Sequence, residues 1–289
     1  MPKDILQLIQ SNMASFSKGQ KRIAAFIQES YDKAAFMTAS KLGKTVNVSE
    51  STVVRFAAEL GYDGYPAMQK ALQEMIRSKL TSIQRIEVSN DRIGDQDIMS
   101  MVMQSDIEKI RITLDETDRE SFNRAVEAIT SAKRIYILGV RSASALANFM
   151  SFYFTFIFDN VSHVDTTSIS EVFEQVMRID TEDVFIGLSF PRYSKRTVKA
   201  MQYAKDQGAK VIAITDSDTS PLASSADVSL FAKSDMASFV DSLVAPLSLV
   251  NALIVACSRK NNDKLEATFS KLEKIWDEYE VYQPSNSEE

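Results

Sequence analysis

One cysteine, one histidine and one tryptophan in 289 residues leave whole classes of chemistry out. A lone Cys257 permits no internal disulfide, and with a lone His163 it cannot assemble a Cys/His zinc site within one chain. Neither residue brings a catalytic companion. Cys257 lies in an apolar stretch with no histidine nearby to activate it, so it reads as a small core residue. His163 has no second base beside it and reads as structural. Glycine is sparse, at 8 residues. No G-x-G-x-x-G follows a strand candidate and no Walker lysine loop is present, so nucleotide binding lacks its backbone cradle and no cofactor is expected. Long apolar runs are missing too. The nearest to one, 240–258, carries Asp241, Pro246 and Asn251 and falls short of the roughly 20 apolar residues of a bilayer span. It reads as a buried or interfacial helix. The opening MPKDILQLIQSNM has neither an apolar h-region nor a small-residue cleavage site, so a cytoplasmic protein is expected.

What is there describes an ordinary globular chain, 45% apolar and 25% charged, long enough for two domains. The net charge of −6 is unevenly spread. Residues 1–80 hold 11 Lys/Arg against 7 Asp/Glu, and the remainder holds 22 against 32. A mildly basic head on an acidic body is compatible with a head that meets a polyanion.

The head, 1–80, reads helical throughout, with Ser17 and Gln20 spaced as a capping box. Residues 81–115 read as a polar linker that turns helical near Ile98. From 116 to 283 apolar runs alternate with helical patterns: RIYILG, VSHVDT, DVFIGLS, KVIAIT and DVSLF. Continuous apolar strands separated by helices imply a parallel five-stranded sheet covered on both faces. Between the second and third of these, Ile169, Val172, Phe173, Val176 and Met177 mark an amphipathic helical face. The tail, 284–289, is expected to be disordered. The fold class is thus an all-α head plus an α/β body.

Two constellations carry chemistry. In TASKLGKTVNVSESTVVRFAAEL, 38–60, Val53, Phe56, Ala57 and Leu60 fall on one helical face and leave Ser51, Thr52 and Arg55 outward. Gly43 permits a close crossing of the preceding helix, Asn47 a left-handed turn, and Ser49 a cap. This is helix-turn-helix grammar. The small hydroxyls Ser49, Ser51 and Thr52 with Arg55 suit base edges, Val54 suits a thymine methyl, and Lys41 and Lys44 suit phosphates. A plain helical hairpin with a solvated outer face has the same pattern; the basic, helical head favours operator DNA.

The second constellation lies at two strand ends. GVRSAS, 139–144, offers Gly139 for a tight turn, then Arg141, Ser142 and Ser144. SFPRYS, 189–194, offers Ser189, Arg192 and Ser194, with Thr197 in the following helix. Ligands of open α/β sheets bind beyond the carboxyl strand ends, where helix N-termini receive anions. Either loop alone reads as a capped helix with a surface arginine; the pair points to one shared phosphate. In the next such segment, Asp216 and Asp218 read as turn formers rather than Mg²⁺ ligands.

On VSESTVVRFAAELGYDGY (48–65), ILGVRSASALA (137–147) and the 188–227 segment, the chain resembles the RpiR/MurR family of bacterial transcriptional regulators over nearly its whole length. The resemblance implies a helix-turn-helix domain joined to a sugar isomerase (SIS) domain whose serine loops, here Ser142, Ser189 and Ser194, hold a phosphosugar effector. Many such domains carry Ser-x-Ser-Gly-x-Thr in the second loop. Here Pro191 replaces the second Ser and Arg192 the Gly, while Ser194 stands at the Thr. Arg141 and Arg192 are expected to restore charge as bidentate phosphate ligands. The expected function is an effector-responsive regulator, not an enzyme, working as a homodimer or homotetramer with the 240–258 helix as an interface element. Two alternatives remain: a sugar-phosphate isomerase, for which Glu171 and His163 are the bases nearest the loops, and a DNA binder without effector.

Overall fold

The computed structural model describes residues 5–77, 81, 83–87, 97–165, 168–234 and 240–282; the 284–289 tail lies outside them. By packing, the chain divides into two units, Met1–Met101 with Met236–Asp241, and Val102–Asp235 with Ser242–Glu289.

The first unit contains helices α1 (Ile5–Asn12), α2 (Lys18–Glu29), α3 (Tyr31–Ala34), α4 (Ala39–Thr45), α5 (Glu50–Glu59) and α6 (Gly64–Arg77). Local signals set their starts. Ser17 caps α2 while the Gln20 side chain returns to the Ser17 backbone N–H at 2.9 Å, and Thr38 caps α4 by accepting from the Lys41 N–H. The core then holds them together. Val53, Phe56, Ala57 and Leu60 are all buried, as the periodicity of α5 predicts, and the Phe56 ring lies 5.0 Å from that of Phe16. A phenylalanine buried to this degree is worth about 3–5 kcal/mol against alanine. From α6, the Tyr65 hydroxyl and the Gln69 amide both donate to the Met37 carbonyl at 2.7 Å, and burial pushes the Tyr65 phenol up to about 12. Further along, residues 83–87 are helical, and Arg85 is held at 2.8 Å from Asp241.

Helix α7 (Ile98–Glu116) begins where the sequence turns helical, and α8 (Arg119–Ser131) follows. Then come β1 (Ile135–Gly139), α9 (Ala143–Ile157), β2 (Val161–His163), α10 (Ile169–Val176), β3 (Val184–Leu188), α11 (Lys195–Asp206), β4 (Lys210–Thr215), β5 (Val228–Phe231), α12 (Val244–Lys260) and α13 (Asn262–Glu278). The five strands form one parallel sheet in the order β2-β1-β3-β4-β5. Every residue of β1 and β3 is buried, which is why these strands read as unbroken apolar runs. Side chains alternate between the two faces. Ile135, Ile137, Ile186 and Ile212 pack in one cluster with residues of α8, α9 and α12; Tyr136, Leu138, Phe185 and Val211 pack in another with residues of α10 and α11. At the amino edge Arg134 ties β1 to Asp180 (2.7 Å) and to the buried Asp183 (2.8 Å).

Tertiary packing revises two expectations. On α10 only Val172 and Val176 are buried; Ile169 and Met177 are exposed, because only about one turn of so short a helix rests on the sheet. The apolar helix starts at Val244 rather than 240. Its apolarity is accounted for within the chain, since Ala245, Pro246, Leu249, Val250, Leu253, Ile254 and Cys257 all pack in the core. Burial also pushes the Cys257 thiol up to about 12, so it is the inert core residue its surroundings imply. No helix among the described residues is long and apolar enough to cross a membrane.

Candidate functional site

In the head, the turn between α4 and α5 is tightened by backbone. The Val48 N–H donates to the Gly43 carbonyl at 2.8 Å, and a Cβ on Gly43 would lie 2.9 Å from the Val48 carbonyl oxygen, so glycine is what lets the chain pass. Asn47 takes the left-handed conformation (φ 55°) that its side chain tolerates. Ser49 then caps α5, accepting from the Thr52 N–H at 3.3 Å, and its hydroxyl also meets those of Ser51 (2.9 Å) and Thr52 (2.8 Å). The result is a knot of hydroxyls at a helix N-terminus. One turn on, Arg55 is exposed and leans back to the Ser51 carbonyl; Val54, Lys41 and Lys44 are exposed as well. This surface offers hydroxyls and a guanidinium at the leading end of a helix, the equipment for reading base edges in a major groove.

In the body, strand order reverses between β1 and β3: β2 lies on one side, β4 and β5 on the other. Gly139 and Leu188 are paired in register, so the segments after them leave the sheet side by side at its carboxyl edge. Ile214 is paired with Leu188 and accepts from the Ser189 N–H, which brings the end of β4 to the same edge. Such a reversal opens a crevice beyond the strand ends.

The two loops are built differently from the expectation. Gly139 does not make the turn. It sits where a Cβ would lie 2.3 Å from the Ala143 carbonyl oxygen, and Arg141, at φ 60°, is the left-handed residue. Ser142 opens α9 without a side-chain cap, leaving its exposed hydroxyl uncommitted to the helix. Ser144 is different: its hydroxyl donates to the Arg141 carbonyl at 2.6 Å and so braces the turn. In the second loop Phe190 is buried in the core beside α9, and Tyr193 packs on the opposite face while its hydroxyl donates to Asp216 at 2.8 Å. Between these two anchors Arg192 is forced to φ 69°. Ser189 accepts from the Ser194 N–H (3.0 Å), and Ser194 caps α11 by accepting from the Thr197 N–H (3.2 Å). Each hydroxyl thus has a lone pair taken by a backbone donor, which leaves its proton free for an anion. Thr197 lies beneath the loop, fully buried, its methyl against Gly187 and its hydroxyl without a partner among the described residues.

Left-handed backbone costs a non-glycine residue about 1–2 kcal/mol. Both loops carry that cost on an exposed arginine, and strain of this kind clusters at ligand sites. Sequence reading missed the Tyr193–Asp216 bond. The signal was available in outline, because level ends of neighbouring parallel strands bring the residues after Leu188 and Thr215 together. Asp216 is buried, accepting from Tyr193 and from the Thr215 hydroxyl, while a 2.8 Å bond joins Thr215 to Ser220. That loop is a hydrogen-bonded turn, as its composition indicates. Of the two candidate bases for isomerisation, Glu171 is exposed in the first turn of α10, and the His163 Nε2 is buried without a hydrogen-bond partner among the described residues.

Comparison with known proteins agrees with both halves. The model of the helix-turn-helix domain, rpiR family, matches residues 3–79, and that of the SIS domain matches 128–256. An uncharacterized HTH-type transcriptional regulator of Caldanaerobacter subterraneus is 25% identical over 90% of this chain and 93% of its own length. The HTH-type transcriptional regulator HexR of Escherichia coli is 28% identical over 78% of this chain and 77% of its own. Among solved structures, the sugar isomerase domain of an RpiR transcription factor from Sphaerobacter thermophilus superposes with a TM-score of 0.57 at 26% identity, covering 62% of this chain and 99% of that one. The Vibrio vulnificus NanR protein, solved with ManNAc-6P, shares the fold over 94% of this chain and 97% of its own, with a TM-score of 0.58 at 23% identity. Residues 3–79 thus match the helix-turn-helix domain of the rpiR family and residues 128–256 a SIS domain, in this order and on a fold that agrees.

Proposed function

We propose that the chain is a DNA-binding transcriptional regulator of carbohydrate metabolism that grips operator DNA with α5 and senses a phosphorylated sugar at the carboxyl edge between β1 and β3. The observation that carries the effector half is the pairing of two strained arginine loops at the strand-order reversal, where Ser189 and Ser194 keep hydroxyl protons to donate. A phosphate there would take those protons and the free hydroxyl of Ser142, with Arg141 and Arg192 supplying charge. Ser144 and Thr197 support the two loops from behind. That NanR was solved with a phosphorylated sugar supports the same ligand class here. In the head, Arg55, Ser51 and Thr52 are assigned to base edges and Lys41 and Lys44 to phosphates, with Ser49 holding the helix start in place. The regulator acts in the cytoplasm as a homodimer or homotetramer, without turnover; its relatives named as regulators support that reading over an isomerase.

The test is a mobility shift on the promoter beside its own gene with a panel of sugar phosphates. Arg55→Ala should weaken operator binding about 10- to 100-fold, the worth of a bidentate base contact. Ser189→Ala should leave that binding intact and abolish the response to the effector. A ligand at 100 times its Kd should stabilise the protein by about 2.7 kcal/mol in a thermal shift. A panel in which the unphosphorylated sugars act as well as their phosphates would end the proposal.

A further inference from the structure

Helix α13 is 17 residues long and none of them is buried. An isolated helix of that length is marginal in water, and its stability normally comes from packing an apolar face. The face exists: Leu265, Phe269, Leu272, Trp276 and Tyr279 follow one another at alternating spacings of four and three, the pattern of a helix–helix seam. Within the chain this seam is half covered, chiefly by α9, where the Phe156 and Phe269 rings lie 5.4 Å apart.

Helix α9 is the other half of the surface. Its fifteen residues, ASALANFMSFYFTFI, include no charged side chain, although its outer side faces solvent. Phe152 is 56% exposed and Tyr153 40%. Ring contacts of 4.9 to 6.3 Å run unbroken from Phe149 through Tyr153, Phe152, Phe156, Phe269 and Trp276 to Tyr282. The last link depends on another left-handed residue: Glu280 takes φ 47°, and the Val281 N–H donates to the Trp276 carbonyl, folding Tyr282 back onto Trp276.

At about 200 Å² per aromatic side chain, the exposed fractions of Phe152, Tyr153, Tyr279 and Tyr282 leave on the order of 450 Å² of aromatic surface in solvent. The largest apolar patch of an ordinary monomer is about 300–600 Å² with all its residues counted. Here four side chains reach that range, and they supply over half of the roughly 800 Å² per partner of a stable interface. The α9 half carries no charged residue, and charge stands at the border, where Lys264 pairs with Asp159 at 2.6 Å. An aromatic stripe is complementary to itself under a two-fold axis, and its α9 half needs no matching of charges.

We infer that the outer face of α9 and the seam of α13 together form the surface through which two copies of this chain associate. The inference rests on the paired assembly proposed above and gives it a location, one that differs from the exposed side of α12. Sedimentation of the full chain at micromolar concentrations tests it. Wild type should sediment as a dimer or an even multiple. Phe152→Lys and Tyr279→Lys, both at exposed positions that tolerate charge, should each weaken association about 10-fold or more, whereas Val255→Lys on the exposed side of α12 should not. Circular dichroism and stabilisation by sugar phosphate should stay at wild-type levels in all three, which separates this inference from the effector reading. A monomeric wild type, or Phe152→Lys and Tyr279→Lys proteins that associate as tightly as wild type, would overturn it.

Discussion

The turn between α4 and α5 in the head and the loop after β1 in the body are made from the same two parts. Each has a glycine against a carbonyl, Gly43 below Val48 and Gly139 below Ala143, and each has a left-handed residue a few positions on, Asn47 and Arg141. The difference lies in the second part. Asparagine is at ease in that conformation, while arginine is held there at a cost. The head's turn is therefore a relaxed structural joint, and the body's loop stores strain on the side chain best fitted to bind an anion.

The largest effect should come from filling the two glycine contacts. Gly139→Ala sets a methyl 2.3 Å from backbone and should cost about 3 kcal/mol or more, whereas Gly43→Ala, at 2.9 Å, should cost about 1–2 kcal/mol. Urea denaturation of the full chain measures both, and equal costs would break the ranking. Next comes alkaline pH. Tyr65 in the head and Cys257 in the body have folded pKa values raised to about 12 from 10.0 and 9.0, so burial favours their neutral forms. That stabilisation is complete below the unfolded pKa and is lost as pH rises toward 12, at up to about 1.4 kcal/mol per pH unit for each group. The body should therefore begin to weaken about one pH unit before the head. Cys257→Ala and Tyr65→Phe should each flatten the loss in its own unit. Tyr65→Phe leaves Met37 paired with Gln69, so its cost at neutral pH should be about 0.5–1.5 kcal/mol.

The smallest effect is the most diagnostic. Arg141→Gly relieves about 1–2 kcal/mol of left-handed strain and loses about 0.5–1 kcal/mol to glycine's freedom in the unfolded chain, a net gain near 0.5 kcal/mol. Effector affinity should fall about 10-fold in the same variant, as for loss of a charged hydrogen bond. Asn47→Gly should show no such gain. A stabilised Arg141→Gly protein that still binds the effector at full strength would remove the arginine from the site.

Much of the fold was legible because its signals are local. Capping residues, such as Ser17 and Thr38, act within one turn, and the burial of Val53, Phe56 and Ala57 follows from helical periodicity alone. The serine loops were legible as strand ends. Their internal wiring was not: that Ser144 braces the Arg141 carbonyl, that Thr197 lies beneath the loop, and that Tyr193 reaches Asp216 are matters of direction and distance between segments far apart in sequence.

The division has a physical basis. Periodicity, caps and composition act over a few residues, so the sequence by itself determined an all-helical head, a parallel body and the residue types placed at each turn. Strand order and register couple segments dozens of residues apart through packing. Only the tertiary structure could decide that β1 and β3 are neighbours, that α12 packs its apolar face in the core, and that α13 leaves its own only half covered.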